Sequence, residues 1–523
     1  MRTIHNPGQT ELFDPWTSKL SDTAYNRLSK SFYAVFRHTI LELMPADKLG
    51  DKFHEDLGRP SKELHAMAGL ILLKEFKNWT TAEAVDQYMF NVQIHYALNI
   101  PSHNASISEK TVERYMELLR EDGVAGEIFD SVTGYLIKSL DIEVDKQRLD
   151  STHVFSDMAT FSRTKLMIKT IKRFLVQLKK HHSTTFATLG EKFQKLCKKD
   201  DNALFYGASK DASTRILIRQ EAAEMMNELI VFFSCNSNVL NMTTFKHLVT
   251  VFNQQCEVVQ KNKVSDDDSD LSGGLGDKKN ESEVVIKKKT GGDVIQNTSD
   301  LEATYDGHKG QGYQVQLSET SNSDNEIQLI TDVQPESAVK SDADSLETVL
   351  ESLKRKGLNP SELTADTLYG GDDNERFSHN ENCQLISPVS GAPTKNKPVA
   401  PNEKQQRLQK RRDEEKTDEW KKKYKTRAQI EGTIGCIKRK TGLSQLRYRG
   451  KKSVFCSMIL KVIGWNISMS VRSKKMQRKV KEALGTVVSS VYNVRVVFSR
   501  LFKTEYHNEK RKFPRFEKII ILG

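Results

Sequence analysis

Apolar residues recur at helical spacing through the first 135 residues of the chain. One run extends from Leu64 to Leu72, and a second from Ala84 to Tyr88 has Thr80 or Thr81 as its expected N-cap. A third amphipathic run begins at Ser108. We therefore expect residues 1–135 to form a helical N-terminal domain. Short successive helices are compatible with a helix-turn-helix DNA reader and also with a plain helical bundle, and we favour DNA binding.

Alternation of apolar and polar residues, typical of strands, first appears at residues 141–150, where it predicts a strand ending at Asp150. The pattern then turns helical again and predicts a helical insertion over residues 153–263. Residues 264–298 are of low complexity and predict a mobile loop, because such a segment buries little apolar surface. Alternation resumes at residues 312–318 and 326–333, which predict a hairpin.

The remaining pattern predicts alternating helices and strands. In chain order these are a helix capped by Ser341 or Asp342 and ending at Gly357, a strand at 362–369, a short helix from Asp372, a strand at 383–387, and a long helix containing residues 424–438. Without the insertion, this order matches a ribonuclease-H-like α/β core, in which helices flank a mixed five-stranded sheet. We therefore expect a catalytic domain over residues 136–470 and a basic tail over residues 471–523.

Composition indicates a globular protein that binds a polyanion. The chain has 523 residues and a net charge of +11, and residues 438–523 hold 22 Lys and Arg against four acidic residues. Such asymmetry favours nucleic acid as the partner, and we expect no membrane span and no signal peptide. The six cysteines form no CxxC pair, which predicts neither a zinc site nor disulfides and fits a reducing cytoplasm.

The predicted long helix carries a distinctive set of polar residues. Tyr424, Arg427, Glu431 and Lys438 follow the spacing i, i+3, i+7 and i+14, which places them on one helical face. A carboxylate flanked by cations and a phenol suits a site that holds a divalent metal ion and phosphates. The alternative is a solvated helix with ordinary charge pairing.

Two further carboxylates are expected near Glu431. Asp150 ends the first predicted strand and Asp366 lies on the fourth, and these strands are neighbours in the expected topology. Three converging carboxylates repel one another unless cations are bound, so we expect two Mg²⁺ or Mn²⁺ ions. Such a centre supports in-line phosphoryl displacement.

At these residues the chain resembles a known family. The segments LDSTHV (149–154) and ADTLYGGDDN (365–374), with the Y-x2-R-x3-E-x6-K pattern at 424–438, resemble DDE transposases of bacterial insertion sequences. The similarity is to the IS4/IS5-type superfamily and, within it, to the IS1182-like group. The resemblance implies that Asp150, Asp366 and Glu431 bind metal and that Tyr424, Arg427 and Lys438 bind phosphates at the transposon end.

The resemblance also implies an activity and partners. The expected reaction is cleavage of double-stranded DNA at the transposon ends, followed by transfer of the freed 3′-hydroxyl to target DNA, by a homodimer in the bacterial cytoplasm. We also expect DNA contacts from three further cations in the basic region, Arg439, Arg447 and Arg449. Two alternatives remain: an inactive DNA-binding descendant of a transposase, or a ribonuclease-H-like nuclease that does not join strands.

Three polar residues outside this set have more ordinary interpretations. His153 follows Asp150 closely, but we expect it to pack or cap rather than to act in catalysis. Asp306 and His308 precede the second strand, and we expect them to form a turn. The nearby glycines are not followed by GKS or GKT, so a nucleotide-binding P-loop is not expected.

Overall fold

The computed structural model describes residues 1–5, 16, 20–100, 105–121, 123–159, 161–198, 212–260, 282–391 and 402–484. The chain divides into two compact units. The first comprises Met1–Glu143, Ser323–Leu329 and Ile463–Gly523, and the second comprises Val144–Asn322 and Ile330–Val462. All six cysteines are free.

The first unit is helical over its described residues up to Glu143. Its α-helices are Asp22–Ser29, Phe32–Val35, Ala46–Gly50, Leu64–Phe76, Thr81–Phe90, Val92–Ala97, Glu109–Leu119 and Val124–Leu140, with a π-helix at Phe36–Ile40 and a 3₁₀ helix at Leu41–Leu43. Thr80 caps its helix through a reciprocal capping box with Glu83, and Ser108 caps Glu109–Leu119, as predicted. Leu64–Phe76 is the centre of this core, since nearly all of its residues are buried.

The predicted basic tail begins with an ordered segment. Residues 474–484 are helical, and Met476 and Val480 are buried. The Ser473 hydroxyl and the Lys474 amide both donate to Glu326, which belongs to the same unit. This first stretch of the predicted basic tail is therefore folded, and the rest of the predicted tail, residues 485–523, lies outside the described part of the chain.

The second unit contains a six-stranded mixed sheet. Its strands are β1 (Lys146–Val154), β4 (Thr304–Asp306), β5 (Gly310–Thr320), β6 (Ile330–Ser337), β7 (Glu362–Thr364) and β8 (Gln384–Ile386). β1 is central, antiparallel to β5 and parallel to β7. β8 continues in parallel beyond β7, and β6 pairs with the far edge of β5. The sheet with its flanking helices is consistent with a ribonuclease-H-like core, and β4 adds a sixth strand to the five expected.

The three helices predicted for this core are present in the expected order, and Glu403–Glu414 is a further helix that was not predicted. The core helices within this unit are Leu346–Arg355, Asp372–Asn380, Glu403–Glu414, Asp418–Tyr424 and Ala428–Thr441, with 3₁₀ helices at Asp342–Ser345, Thr367–Tyr369 and Lys425–Arg427. The helix Lys451–Ser470 has residues in both units. Ser341 caps the first 3₁₀ helix, and Gly357 takes a positive φ of 68° after Leu346–Arg355. An apolar cluster that includes Leu149, Leu353 and Leu363 packs the helix Leu346–Arg355 against the sheet.

Several predicted strand boundaries are wrong, and the strand predicted at 362–369 ends at Thr364. The first strand begins at Lys146 rather than 141, because Asp141 takes a left-handed conformation at the end of the preceding helix. It also continues to Val154, so Asp150 lies within it. The predicted strand 326–333 is instead Ile330–Ser337.

The insertion after β1 has a core of its own. Its helices are Arg163–His181, Ser183–Ala187, Glu191–Lys198, Ala212–Phe232, Ser237–Leu240 and Thr243–Gln255. We had expected this insertion to be helical throughout. The structure differs, because β2 (Cys256–Gln260) pairs with β3 (Ser282–Ile286) in an antiparallel ribbon. β3 also corrects the predicted loop 264–298, of which residues 264–281 lie outside the described part of the chain.

By length and composition alone, Lys451–Ser470 is apolar enough to cross a membrane. Most of this helix is buried within the protein, however, including Leu460, Ile463 and Trp465. A core helix passes the same test of length and composition, so this single helix is weak support for a membrane segment.

Candidate active site

Asp150 lies on the central strand β1. Its backbone is paired with Leu317 of β5, and its side chain is only 14% exposed. The Ser151 amide donates a hydrogen bond of 2.9 Å to Asp150 Oδ1. Because side chains alternate along a strand, Arg148 and Asp150 share a face. Arg148 donates to Gln429 on the helix Ala428–Thr441, so Asp150 lies on the face that this helix covers.

The sequence predicted that Asp366 lies on the fourth strand of the core. In the structure that strand, β7, ends at Thr364, and Asp366 follows it. Its side chain accepts a hydrogen bond of 2.8 Å from the Leu368 amide and so caps the 3₁₀ helix Thr367–Tyr369. The parallel register pairs Arg148 of β1 with Thr364 of β7. Two residues further along both strands, this register brings Asp366 level with Asp150.

Glu431 is positioned by a helical segment with one irregularity. The helix Asp418–Tyr424 passes through a 3₁₀ turn, Lys425–Arg427, into Ala428–Thr441. The predicted long α-helix is therefore interrupted, although the backbone remains right-handed at Tyr424 and Arg427. Glu431 lies in the first turn of the last helix and is 57% exposed.

Arg427 connects the three carboxylates. Its guanidinium lies 2.7 Å from Glu431, 3.4 Å from Asp150 and 3.9 Å from Asp366. Asp150 and Arg427 are 277 residues apart in the chain. The structure thus brings the three predicted acids around one guanidinium, which we call the acidic centre: Asp150, Asp366, Glu431 and Arg427.

The acidic centre has more negative than positive charge. Burial, with a contribution from Asp366 and Glu431, raises the pKa of Asp150 to about 6 against the opposing effects of Arg427 and the Ser151 amide. Burial lowers the pKa of Arg427, but attraction to Asp150, Tyr424, Glu431 and Asp366 outweighs burial and raises it. Arg427 Nε is buried without a hydrogen-bond partner among the described residues. One guanidinium therefore balances three carboxylates incompletely.

The donor chemistry fits a hard divalent cation, since Mg²⁺ and Mn²⁺ prefer carboxylate oxygens. Among the described residues, no three His, Cys, Asp or Glu side chains are close enough to hold an ion. Arg427 stands between the carboxylates instead. Holding a cation would therefore require Arg427 to give up contacts that it makes here.

Tyr424 and Lys438 flank the acidic centre. The Tyr424 ring stacks on Trp420, with centroids 4.9 Å apart, and burial raises its pKa although Arg427 opposes the shift. Lys438 lies two turns after Glu431, and burial lowers its pKa although attraction to Asp150 opposes the shift. Neither the Lys438 ammonium nor the Tyr424 hydroxyl has a hydrogen bond or ion pair with a described residue, so both polar groups can receive a ligand.

The three other predicted DNA-binding cations differ in their partners. Arg439 is exposed and lies 3.3 Å from Cys436 Sγ, and Arg447 is exposed with no ion pair among the described residues. Arg449 forms an ion pair of 2.8 Å with Asp157. In the same region the Phe155 amide donates to Ser444 O, so the segment that bears Arg447 and Arg449 runs beside the end of β1.

The residues with more ordinary interpretations have structural partners. The Asp306 side chain accepts hydrogen bonds from the His308 and Lys309 amides, which forms the predicted turn. His153 Nε2 lies 3.1 Å from Gln311 O, and burial lowers the pKa of its imidazole. These contacts agree with packing and turn roles.

The sequence interpretation missed a buried network beside the acidic centre. Arg148 and Glu319 form an ion pair of 2.6 Å, and each side chain is 3% exposed. Glu319 also accepts from Thr433, and Arg148 donates to Gln429, so the pair joins β1 and β5 to the helix of Glu431. Burial raises the pKa of Glu319 against the effect of Arg148. The sequence did contain a signal for this pair. Arg148 lies in one predicted strand and Glu319 directly follows another, so two opposite charges were expected close to the sheet.

Comparison with known families connects this geometry to one kind of domain. Residues 372–470 match a family model described as a transposase DDE domain. The match includes Tyr424, Arg427, Glu431 and Lys438, whereas Asp150 and Asp366 precede it. No curated protein and no solved structure matches the chain. The match supports a DDE transposase that acts on DNA, and the assignments to the IS4/IS5-type superfamily and the IS1182-like group stay predictions.

Proposed function

We propose that this protein is a DDE transposase of the IS1182-like group that cleaves DNA at transposon ends and transfers the freed strands to target DNA. The observation that carries the proposal is the convergence of Asp150, Asp366 and Glu431 on the guanidinium of Arg427. The family match over residues 372–470 adds support, and it contains Arg427 and Glu431 but neither aspartate.

In this proposal Asp150, Asp366 and Glu431 hold two divalent cations, Mg²⁺ or Mn²⁺. When bound, such ions activate a water or 3′-hydroxyl nucleophile and stabilise the leaving oxygen. Three elements of the fold each supply one carboxylate to this proposed cation site: β1, the turn after β7 and the helix that bears Glu431. The raised pKa of Asp150 means that its carboxylate must lose a proton near pH 6 before it can serve as a ligand.

The cations of the site would orient the DNA backbone. Arg427, released from the carboxylates, can present two parallel N–H groups to a phosphate, and Lys438 can act as a point charge. The Tyr424 hydroxyl can donate to a phosphate oxygen while its ring stays stacked on Trp420. Arg439, Arg447 and Arg449 extend this basic surface along double-stranded DNA.

The remaining features of the proposal concern assembly and location. Paired transposon ends fit a homodimer, since each protomer would supply one acidic centre to one end. A bacterial, cytoplasmic protein associated with the nucleoid is consistent with a DNA substrate and with six free cysteines.

The test is Mg²⁺-dependent cleavage of DNA that carries the ends of the element's own locus. We expect specific nicks and joined products with the wild type and neither with Asp366→Asn. Asp373→Asn is the matched control, because Asp373 is an exposed aspartate seven residues away. Nicks without joined products would favour the nuclease alternative. Binding without cleavage would favour the inactive descendant.

A further inference from the structure

A basic groove lies in the first unit, between the segment at residues 52–62 and the start of the helix Glu109–Leu119. Its volume is about 710 Å³. Five cationic side chains line it, and we call them the groove cations: Lys52, Arg59, Lys62, Lys110 and Arg114. No acidic side chain is among the described residues that line it. The groove is thus large enough for several phosphates and carries one sign of charge.

Most of the groove cations have no acidic partner. Lys52 pairs with Glu121 at 2.8 Å. Arg59, Lys62, Lys110 and Arg114 form no ion pair with any described residue. Unpaired cations held around one concave surface repel one another, so a polyanion would bind there with a gain in free energy.

Local contacts hold this surface in place. The His54 ring accepts hydrogen bonds through Nδ1 from the Asp56 and Leu57 amides, which leaves Nε2 as the N–H donor. The Tyr115 hydroxyl donates to Lys62 O at 3.4 Å, and the Ser61 amide donates to Met1 O at 2.9 Å. The groove therefore needs little ordering before a ligand binds.

The apolar content of the groove distinguishes between possible polyanions. Phe53 stacks on Tyr115, with ring centroids 5.7 Å apart, and Arg114 lies 5.0 Å from the Phe53 ring. Tyr115 is only 2% exposed, so its ring is not available for stacking on single-stranded bases. Leu57, at 68% exposed, and Met1, at 43% exposed, are two apolar side chains and do not form the apolar face that membrane binding requires.

We propose that this groove binds the phosphate backbone of duplex DNA and contributes affinity rather than base specificity. The proposal rests on the proposed transposase function and specifies one of the surfaces by which the protein would hold its substrate. The hydroxyls of Ser61, Ser106 and Ser108 also line the groove and can donate to phosphate oxygens.

The test uses the full chain with Asp366→Asn, so that binding is measured without cleavage. Binding to duplex DNA with and without the locus ends is followed by fluorescence anisotropy across a range of salt concentrations. The groove variant replaces Arg59, Lys62, Lys110 and Arg114 with Gln. The control variant replaces four exposed cations of the same unit, all outside the basic C-terminal region, with Gln: Arg27, Lys30, Lys48 and Lys138.

We expect the groove variant to bind both duplexes at least about tenfold more weakly and to reduce the slope of log K against log salt by about 3 to 4. The control variant should change the slope less. A charge-preserving variant, with Arg59→Lys, Lys62→Arg, Lys110→Arg and Arg114→Lys, should bind as the parent does, which separates charge from a folding defect.

Several outcomes would overturn the proposal. If the groove variant kept the parent's affinity and slope while the parent bound duplex DNA, the groove assignment would be wrong and the transposase function would stand. If groove substitutions weakened binding only to single-stranded DNA, or only to phosphatidylserine vesicles, the ligand would be wrong. A parent that bound no DNA would overturn both proposals.

Discussion

Arg148 and Asp150 lie two residues apart on the same face of β1, and each takes part in a guanidinium–carboxylate contact. The two contacts differ in their balance of positive and negative charge. Arg148 meets one carboxylate, Glu319, and both side chains are 3% exposed with further partners. Arg427 meets three carboxylates, and its Nε has no partner among the described residues.

This difference in charge balance distinguishes an ion pair that stabilises the fold from a site whose contacts would change when a ligand binds. A buried pair with its hydrogen bonds complete has nothing to gain from a ligand. An acidic centre with excess negative charge gains from a cation, and its arginine gains from a phosphate. The first pair therefore holds the helix of Glu431 in place, and in our proposal the second centre carries the chemistry.

The largest effect is expected from Glu431→Ala. This change removes one proposed metal ligand from an exposed position, so cleavage should be abolished while binding to the transposon ends stays nearly intact. Cleavage rate and anisotropy on the same DNA measure both properties. Loss of binding, or a clear drop in the unfolding midpoint, would show that Glu431 is structural.

Glu319→Ala should have the largest effect on stability. It leaves the Arg148 guanidinium buried without its carboxylate, which costs about 3 to 5 kcal/mol in comparable buried pairs. Urea unfolding measures the loss. The double variant Arg148→Met/Glu319→Leu, which removes both charges, should be destabilised less than Glu319→Ala; an equal or greater loss would mean that the pair is not the main contribution.

The raised pKa of Asp150 predicts a pH dependence of stability. Its value of about 6 in the folded protein exceeds the usual 3.8, so the folded state binds the proton more tightly than the unfolded state. Stability from this group is therefore present below about pH 4 and is lost as pH rises to about 6. In metal-free buffer, Asp150→Asn should lose less stability than the wild type over this range. Parallel curves would contradict the assigned burial of Asp150.

Arg427→Ala should have a smaller effect on binding. We expect weaker affinity for DNA and a salt slope reduced by about 0.9, the value for one phosphate contact. Arg427→Lys keeps the charge but not the paired N–H groups, so it should keep the slope and lose some affinity. A change in cleavage with affinity and slope unaltered would show that Arg427 does not bind phosphate.

The smallest expected effect is a difference in the salt dependence of DNA binding between substitutions at two neighbouring arginines. Arg447 is exposed and unpaired among the described residues, whereas Arg449 is half-exposed and paired with Asp157. Arg447→Gln should therefore reduce the salt slope more than Arg449→Gln, and neither should change stability measurably. The reverse order in anisotropy titrations would mean that Arg449 leaves Asp157 to bind DNA.

Part of the strand pattern was predictable and part was not. Residues 312–318 alternate strongly, and they lie within β5 as expected. Residues 326–329 alternate as well, yet they precede β6 and belong to the other unit, with Ile327 and Leu329 buried. Alternation reports that residues are half-buried, and it does not report which core buries them.

The sequence by itself determined the order of the core elements, the helical character of the N-terminal region, and the choice of Asp150, Asp366 and Glu431 as a set. Helical and strand periodicities, caps and the spacing from Tyr424 to Lys438 are local properties, and they survive folding largely unchanged. Charge asymmetry also follows from the chain alone and indicated a polyanion partner.

Only the tertiary structure decided that Arg427 stands among the three acids and that Arg148 and Glu319 form a separate buried pair. These contacts join residues as many as 277 positions apart, and the register of β1 with β5 and β7 sets which side chains meet. The groove cations likewise become one surface only after distant segments pack. Local pattern specifies elements, whereas the balance of charge at a site depends on which elements the core brings together.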